Sequence, residues 1–297
     1  MATTLTLPRP APITAAPRGR SGLRRPPLWL GLPALLLLLP FLAAVGCVLR
    51  FSLSGEAQLI AGWTLDHYAA LAEPFMLRSA LLTLQLAAAS TVLCLVLALP
   101  IALLMAAVTR PLWRRALTCV VLLPMILNLL IQAYGWIIVL GPAGVLNAAL
   151  QQSGLVAHPV QLLFNRTGVL AGLVQTALPL AVFPVLGAMR AASGDLLEAA
   201  ATLGASPWRS FFGITLPLLK PGLISAASIV FAYNASAFAV PLLLGGRRVQ
   251  MLGIAIRDRV SPLFDWAGAA AAGIALLLLT LAVLLLATWL ANRRSAR

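Results

Sequence analysis

Six apolar stretches divide this sequence, and each is long enough to cross a lipid bilayer as a helix. A crossing helix needs about 20 apolar residues, whereas a transmembrane β-barrel would show short segments of alternating hydrophobicity. We therefore predict an all-α integral membrane protein with six transmembrane helices. The predicted spans cover residues 28–49, 80–108, 116–140, 169–189, 223–244 and 266–291.

The composition excludes an ordinary soluble domain. Of 297 residues, 61% are hydrophobic and 9% are charged, whereas a soluble domain carries about 25% charged residues. The net charge of +14 would suggest a nucleic-acid partner in a soluble protein. Here the arginines flank the apolar stretches, so we expect contact with a lipid bilayer and none with nucleic acid. Neither the cysteines nor the histidines have the spacing of metal ligands, so no metal site is expected.

The first 27 residues are rich in Pro, Thr and Arg, which predicts a disordered basic tail ahead of one transmembrane domain at 28–297. The first apolar stretch could be a signal peptide, but it exceeds the usual length of about 7–15 residues, so we expect an uncleaved span. If the spans alternate, 14 of the 21 Lys and Arg residues lie on the side of the two termini. Basic residues favour the cytoplasmic side, so both termini are predicted to be cytoplasmic.

Residues 245–263 hold four of the arginines on the other, external side. Leu252, Ile256 and Val260 recur there at helical spacing. This pattern predicts a short helix at the membrane surface with Arg257 and Arg259 facing water.

The acidic residues all fall outside the predicted spans. Transporters that couple to protons or ions keep ionisable residues at membrane depth, so this chain is expected to draw its energy from another source. A stand-alone secondary transporter or a channel is the alternative interpretation. An intramembrane enzyme is a third, although no Ser/His pair, Asp pair or metal cluster lies at membrane depth.

The loop between the fourth and fifth spans carries a motif, Glu198-Ala199-Ala200, three residues, Gly204, nine residues, then Ile214-Thr215-Leu216-Pro217. Gly204 permits a sharp turn, and Ser206-Pro207 is typical of an N-cap followed by the first residue of a helix. We predict a short helix, a bend and a second short helix that is ended by prolines. Such an element either rests on lipid as an amphipathic helix or docks on a partner protein.

This spacing resembles the E-A-A-x3-G-x9-I-x-L-P signature of binding-protein-dependent transport permeases, which are subunits of bacterial ABC importers. The resemblance implies the importer-permease (MetI-like) fold, with cytoplasmic coupling helices between spans 4 and 5, in a multi-pass protein of the bacterial inner (plasma) membrane. It assigns ATPase coupling to residues of this loop, which are Glu198, Ala199, Ala200, Gly204, Pro207, Trp208, Phe211, Ile214, Leu216 and Pro217.

The same resemblance implies several partners. Two ABC ATPase subunits would hold ATP and Mg, because this chain lacks the phosphate-binding motif G-x-x-x-x-G-K-[ST]. This chain itself is expected to bind no cofactor and to be no enzyme. A second, related permease subunit would complete a heterodimer, and a periplasmic or extracellular substrate-binding protein would deliver the cargo.

Shorter runs, such as Ala133-Tyr134-Gly135-Trp136 and Asp265-Trp266, are similar to spermidine/putrescine-type permeases. The resemblance implies a small polar or cationic solute such as a polyamine, although Gln132 stands where an Arg is common. Buried polar groups in lipid need partners, so polar span residues either bond neighbouring helices or line a translocation path. The path candidates are Gln132, Tyr134, Trp136, Gln175, Tyr233, Asn234 and Ser236.

Overall fold

The computed structural model describes residues 32–55, 62–191, 200 and 202–293, nearly all of them helical. The predicted tail, residues 1–27, lies outside the described residues. Within the described ranges, β-type pairing is confined to an isolated bridge between Ser54 and Trp63. The all-α prediction is therefore confirmed. The helices are α1 (Leu32–Ser52), α2 (Asp66–Ala70), α3 (Pro74–Ala107), α4 (Pro111–Ile126), α5 (Leu129–Leu140), α6 (Val145–Gln152), α7 (Arg166–Ala191), α8 (Pro207–Ser210), α9 (Leu216–Leu218), α10 (Lys220–Ala235), α11 (Ala239–Gly245), α12 (Leu252–Val260) and α13 (Trp266–Arg293).

Five helical stretches of the described chain are long and apolar enough to cross a membrane, and two bent pairs of helices would raise the number to seven. The predicted count of six therefore stays a prediction. The five stretches are Leu35–Ser52, Pro74–Ala107, Leu129–Gln152, Arg166–Ala191 and Trp266–Ala291.

The predicted third span, 116–140, is not one continuous helix. Helix α4 ends at Ile126 and α5 begins at Leu129. Asn128 starts the new helix as its N-cap, because its side-chain oxygen accepts a hydrogen bond from the Leu130 N–H at 2.8 Å. The local hydrogen-bonding of one asparagine thus interrupts a run that hydropathy alone presents as uniform.

The predicted fifth span, 223–244, is broken as well. Helix α10 ends at Ala235 and α11 begins at Ala239. The Ser236 hydroxyl donates to the carbonyl oxygens of Ala232 (3.1 Å) and Tyr233 (3.0 Å). A hydroxyl that bonds back in this way competes with the backbone N–H groups that would continue the helix.

The chain divides into two compact units, Met1–Val45 and Gly46–Arg297. In the second unit, α3, α7 and α10 pack against one another through small residues. Gly222 of α10 lies so close to α7 that an added Cβ would be 2.5 Å from the Ala188 Cβ and 2.9 Å from the Pro184 carbonyl oxygen. Small side chains permit such close packing of membrane helices. The fully buried alanines of these three helices are Ala87, Ala98, Ala102, Ala177, Ala181, Ala226 and Ala235.

The predicted short helix near residue 256 is present as α12, Leu252–Val260. The predicted exposure of Arg259 is wrong. Its side chain is only 13% exposed and pairs with Asp265 at 3.0 Å, whereas Arg257 faces outward beside Asp258. Asp265 lies just before α13, so the fold supplies a carboxylate that the helical period alone does not reveal.

Candidate coupling element and translocation path

The loop of the sequence motif turns at Gly204, whose φ is +78°. The Ala205 N–H donates to the Ala200 carbonyl oxygen at 3.0 Å, so the turn closes the end of the preceding helical residues. This is the Schellman arrangement, in which glycine occupies the left-handed position because it has no Cβ. The predicted change of direction thus occurs at Gly204. Two other residues of the motif, Glu198 and Ala199, lie outside the described residues.

A second helical segment starts immediately after the turn. Ser206 is its N-cap, accepting a hydrogen bond from the Arg209 N–H at 3.4 Å, and Pro207 is the first helical residue. The predicted start is therefore confirmed. We call the segment Pro207–Leu218 the loop helix; it consists of α8, a π-helical turn at Phe211–Thr215, and α9.

The sequence predicts that Pro217 ends the loop helix, but the helix continues past it to Leu218. The π-helical turn shifts the hydrogen bonds by one residue, so that the Leu216 N–H bonds to the Phe211 carbonyl oxygen. The missing N–H of Pro217 is then accommodated within a helical path that continues to Leu218. The chain bends by 61° between the loop helix and α10.

The loop helix presents apolar side chains outward. Trp208 is 74% exposed and Phe212 is 57% exposed. Their rings stack with centroids 6.0 Å apart, and Phe211 meets Phe212 edge-on at 5.1 Å. Leu203, just before the turn, is 88% exposed. We call Leu203, Trp208 and Phe212 the aromatic surface.

The other predicted coupling residues lie around this surface. Ala200 is buried, Phe211, Ile214 and Leu216 are half-buried, and Pro217 is exposed. Leu203 and Phe212 are not among the coupling residues predicted from the sequence, although the structure exposes both beside Trp208. Their apolar character within a polar loop was the available signal.

Gln132, predicted to line a path, closes the break between α4 and α5. Its Nε2 donates to the carbonyl oxygens of Pro124 (2.8 Å) and Leu127 (2.9 Å). Carbonyl oxygens at a helix end lack helical partners, so the amide replaces the missing N–H groups. The Gln132 side chain is buried, and its Oε1 has no hydrogen-bond partner within the described part of the chain.

Asn234 and Trp136 join neighbouring helices. Asn234 is fully buried, and its Nδ2 donates to the Ser90 hydroxyl at 2.7 Å, linking α10 to α3. The Trp136 Nε1 donates to Gln175 Oε1 at 2.6 Å, linking α5 to α7. The Asn234–Ser90 pair is a buried contact between two helices, whereas the Trp136–Gln175 pair is only half-buried.

The two helix breaks meet in one groove of about 190 Å³. Leu129, the first residue of α5, lines it together with Tyr233 and Ser236 at the end of α10. Thr176 of α7 forms another part of the wall, and Phe238 follows the second break. Of the path candidates predicted from the sequence, Tyr233 and Ser236 line this groove. Tyr134 is 66% exposed and is not part of the groove lining.

Leu129 and Phe238 are not predicted from the sequence as groove residues, because only tertiary packing brings positions so far apart together. Across the described residues, no group of three or more His, Cys, Asp or Glu side chains could hold a metal ion.

Residues 98–296 match the family model of the binding-protein-dependent transport system inner membrane component. The spermidine/putrescine transport system permease protein PotB of Haemophilus influenzae is 32% identical over 230 residues, covering 77% of this chain and 80% of that protein. The molybdenum transport system permease protein ModB of Azotobacter vinelandii is 36% identical over 182 residues, covering 60% of this chain and 78% of that protein.

A similar fold is seen in the crystal structure of a bacterial ABC transporter involved in the import of the acidic polysaccharide alginate. One chain of that transporter superposes with a TM-score of 0.72 at 21% identity, covering 90% of this chain and 97% of that chain. At this identity the similarity concerns the fold.

Proposed function

Because this chain belongs to the family of binding-protein-dependent transport system inner membrane components, we propose that its loop helix couples a translocation path to a separate ATPase. The chain is a permease subunit of an ABC importer and a multi-pass protein of the inner membrane. It is a transport subunit and not an enzyme, and the family implies ATPase and substrate-binding protein partners.

The observation that carries this proposal is the aromatic surface. Trp208 and Phe212 are large, stacked and more than half exposed. Exposed apolar patches with a polar rim are typical of protein interaction sites, and tryptophan is enriched among residues that dominate binding energy. The aromatic surface therefore fits a groove on the ATPase.

The connection to the spans supports transmission of movement. The loop helix leads through a 61° bend into α10, whose Gly222 packs directly on α7. A displacement of the loop helix would therefore act on the helix core. In this proposal, ATP-driven closure of two ATPase subunits shifts the spans between outward-open and inward-open states. Glu198 would pair with a basic residue of the ATPase, and Glu198→Ala should weaken that association.

The groove at the two helix breaks is the proposed part of the translocation path. Transporters place binding sites at discontinuous helices, where irregular backbone lines a cavity. Tyr233 and Ser236 would contact the cargo there. The half-buried pair of Trp136 on α5 and Gln175 on α7 could contact it as well. Gln132 and Asn234 would act mainly by holding the helices around the path.

The cargo is proposed to be a small polar solute. The names of the relatives support two candidates of opposite charge, a cationic solute such as a polyamine and a molybdenum oxyanion. The remaining parts of the proposal are a second, related permease subunit in a heterodimer and cytoplasmic location of both termini.

The test removes the aromatic surface. Trp208→Ala and Phe212→Ala should each reduce copurification of the ATPase by roughly thirtyfold, which corresponds to about 2 kcal/mol for a residue central to an interface. Trp266→Ala on α13 is the matched control, since Trp266 is 51% exposed and lies outside the loop helix. Copurification and solute uptake are measured at equal membrane abundance.

If both loop-helix variants keep the ATPase and transport normally, the coupling proposal is wrong and the helix rests on lipid. Transport that persists after removal of the ATPase would also contradict the coupling proposal.

A further inference from the structure

Three arginines from distant parts of the chain line one recess of about 370 Å³. Arg78 lies in the second turn of α3, Arg166 is the first residue of α7, and Arg248 ends the short 3-10 turn after α11. Two uncharged amides, Gln85 and Gln250, also line the recess. All of these side chains except the half-buried Gln250 are exposed.

None of the described residues that line the recess is acidic, so none of them balances this charge. Among the described residues, the ion pairs of the external segment lie elsewhere, at Arg257–Asp258 and Arg259–Asp265. Arg248 donates to the neutral Gln161 Oε1 at 3.2 Å. Like charges held in one concave site repel each other and create a positive potential that attracts anions.

The recess lies at the end of α7 that is remote from the loop helix. Arg166 begins α7, whereas Pro184 and Ala188 near its other end contact Gly222 at the start of α10. A helix of 26 residues is about 39 Å long, which exceeds the thickness of the hydrocarbon core of a bilayer, about 30 Å. With the loop helix in the cytoplasm, the recess opens on the external side, where cargo arrives.

We propose that this recess binds an anionic group of the transported solute, a carboxylate or an oxyanion. The inference rests on the proposed function, since it requires that cargo passes this chain from outside. Guanidinium groups present paired N–H donors that match the oxygens of such anions. Gln85 lies two helical turns beyond Arg78, so it extends the recess by about 10 Å along α3 toward the membrane interior. A solute with only ammonium groups would be repelled.

The first measurement identifies the cargo. The substrate-binding protein is purified from cells without added ligand, and the small molecule released on denaturation is identified by mass spectrometry. We expect a solute with at least one carboxylate or oxyanion group. A solute with cationic groups alone would overturn the proposal and leave the function as an importer permease intact.

The second measurement uses that solute, labelled, as the probe in cells that express the complete transporter. Arg78→Gln, Arg166→Gln and Arg248→Gln should each raise the KM of uptake on the order of tenfold, as expected for loss of a charge-assisted contact. Arg78→Lys should fall between Arg78→Gln and wild type, because it keeps the charge and loses the fork. Arg257→Gln is the matched control, an exposed arginine outside the recess.

Two outcomes would contradict a cargo site. An unchanged KM in all three glutamine variants would show that the solute does not use the recess. In the second outcome, the three glutamine variants weaken the affinity of the cargo-free binding protein for the transporter in nanodiscs by as much as they raise the KM of uptake. That result would assign the arginines to docking of the binding protein and not to the cargo. The arginine variants should retain the ATPase, whereas loss of the ATPase in the loop-helix variants tests coupling separately.

Discussion

Substitution of Gly204 separates the shape of the loop turn from the surface that it presents. Its φ of +78° is a left-handed conformation, and an added Cβ would meet no atom of the described residues within 4 Å. The cost of Gly204→Ala within the chain is therefore conformational, about 1–2 kcal/mol for an L-residue in this region. A shift of that size changes a population by a factor of about 5–30.

Three substitutions divide the effect. Gly204→Asn should be close to wild type if only backbone shape matters, since asparagine tolerates left-handed φ better than alanine. Gly204→Ala should reduce ATPase association by about 5- to 30-fold through the same conformational cost. Gly204→Asp also tolerates the turn but adds a charge where the ATPase is proposed to dock, so we expect loss of transport with normal membrane insertion.

The assay compares ATPase copurification and solute uptake at equal membrane abundance. Gly213→Ala is the matched control, because Gly213 lies in the same loop helix, has ordinary φ, and its added Cβ would also meet no atom of the described residues within 4 Å. Normal transport and full ATPase retention in both Gly204→Ala and Gly204→Asp would refute the role of this turn.

Two further predictions concern packing and topology. Gly222→Ala places a Cβ 2.5 Å from the Ala188 Cβ of α7, and this overpacking should destabilise the purified permease by about 1–3 kcal/mol and lower its melting temperature. Gly187→Ala is the control and should be near neutral, because no atom of the described residues lies within 4 Å of its added Cβ. Equal melting temperatures of the two variants would contradict the close contact. In a background without the native cysteines, Ala69→Cys should react with an impermeant thiol reagent on intact cells and Arg209→Cys should not; the opposite pattern would invert the proposed orientation.

Local sequence determined the features that depend on neighbouring residues. Long apolar runs specify helices that lipid can solvate, because each helix satisfies its own backbone hydrogen bonds. The start of the loop helix at Ser206-Pro207 and the turn at Gly204 were predictable for the same reason, since an N-cap and a left-handed glycine act within a few residues. The motif spacing indicated the family before any contact was known.

Tertiary structure alone decided which polar residues serve packing and which face a cavity. Asn234 finds its partner Ser90 at a separation of 144 residues, and hydropathy cannot report such a pairing. The groove requires two helix breaks to meet beside Thr176, and the arginine recess requires the starts of α3 and α7 to lie beside the chain after α11. Each arginine alone resembles an ordinary flanking charge. Their common site exists because helix packing brings three distant segments to one place, and no local pattern encodes that distance.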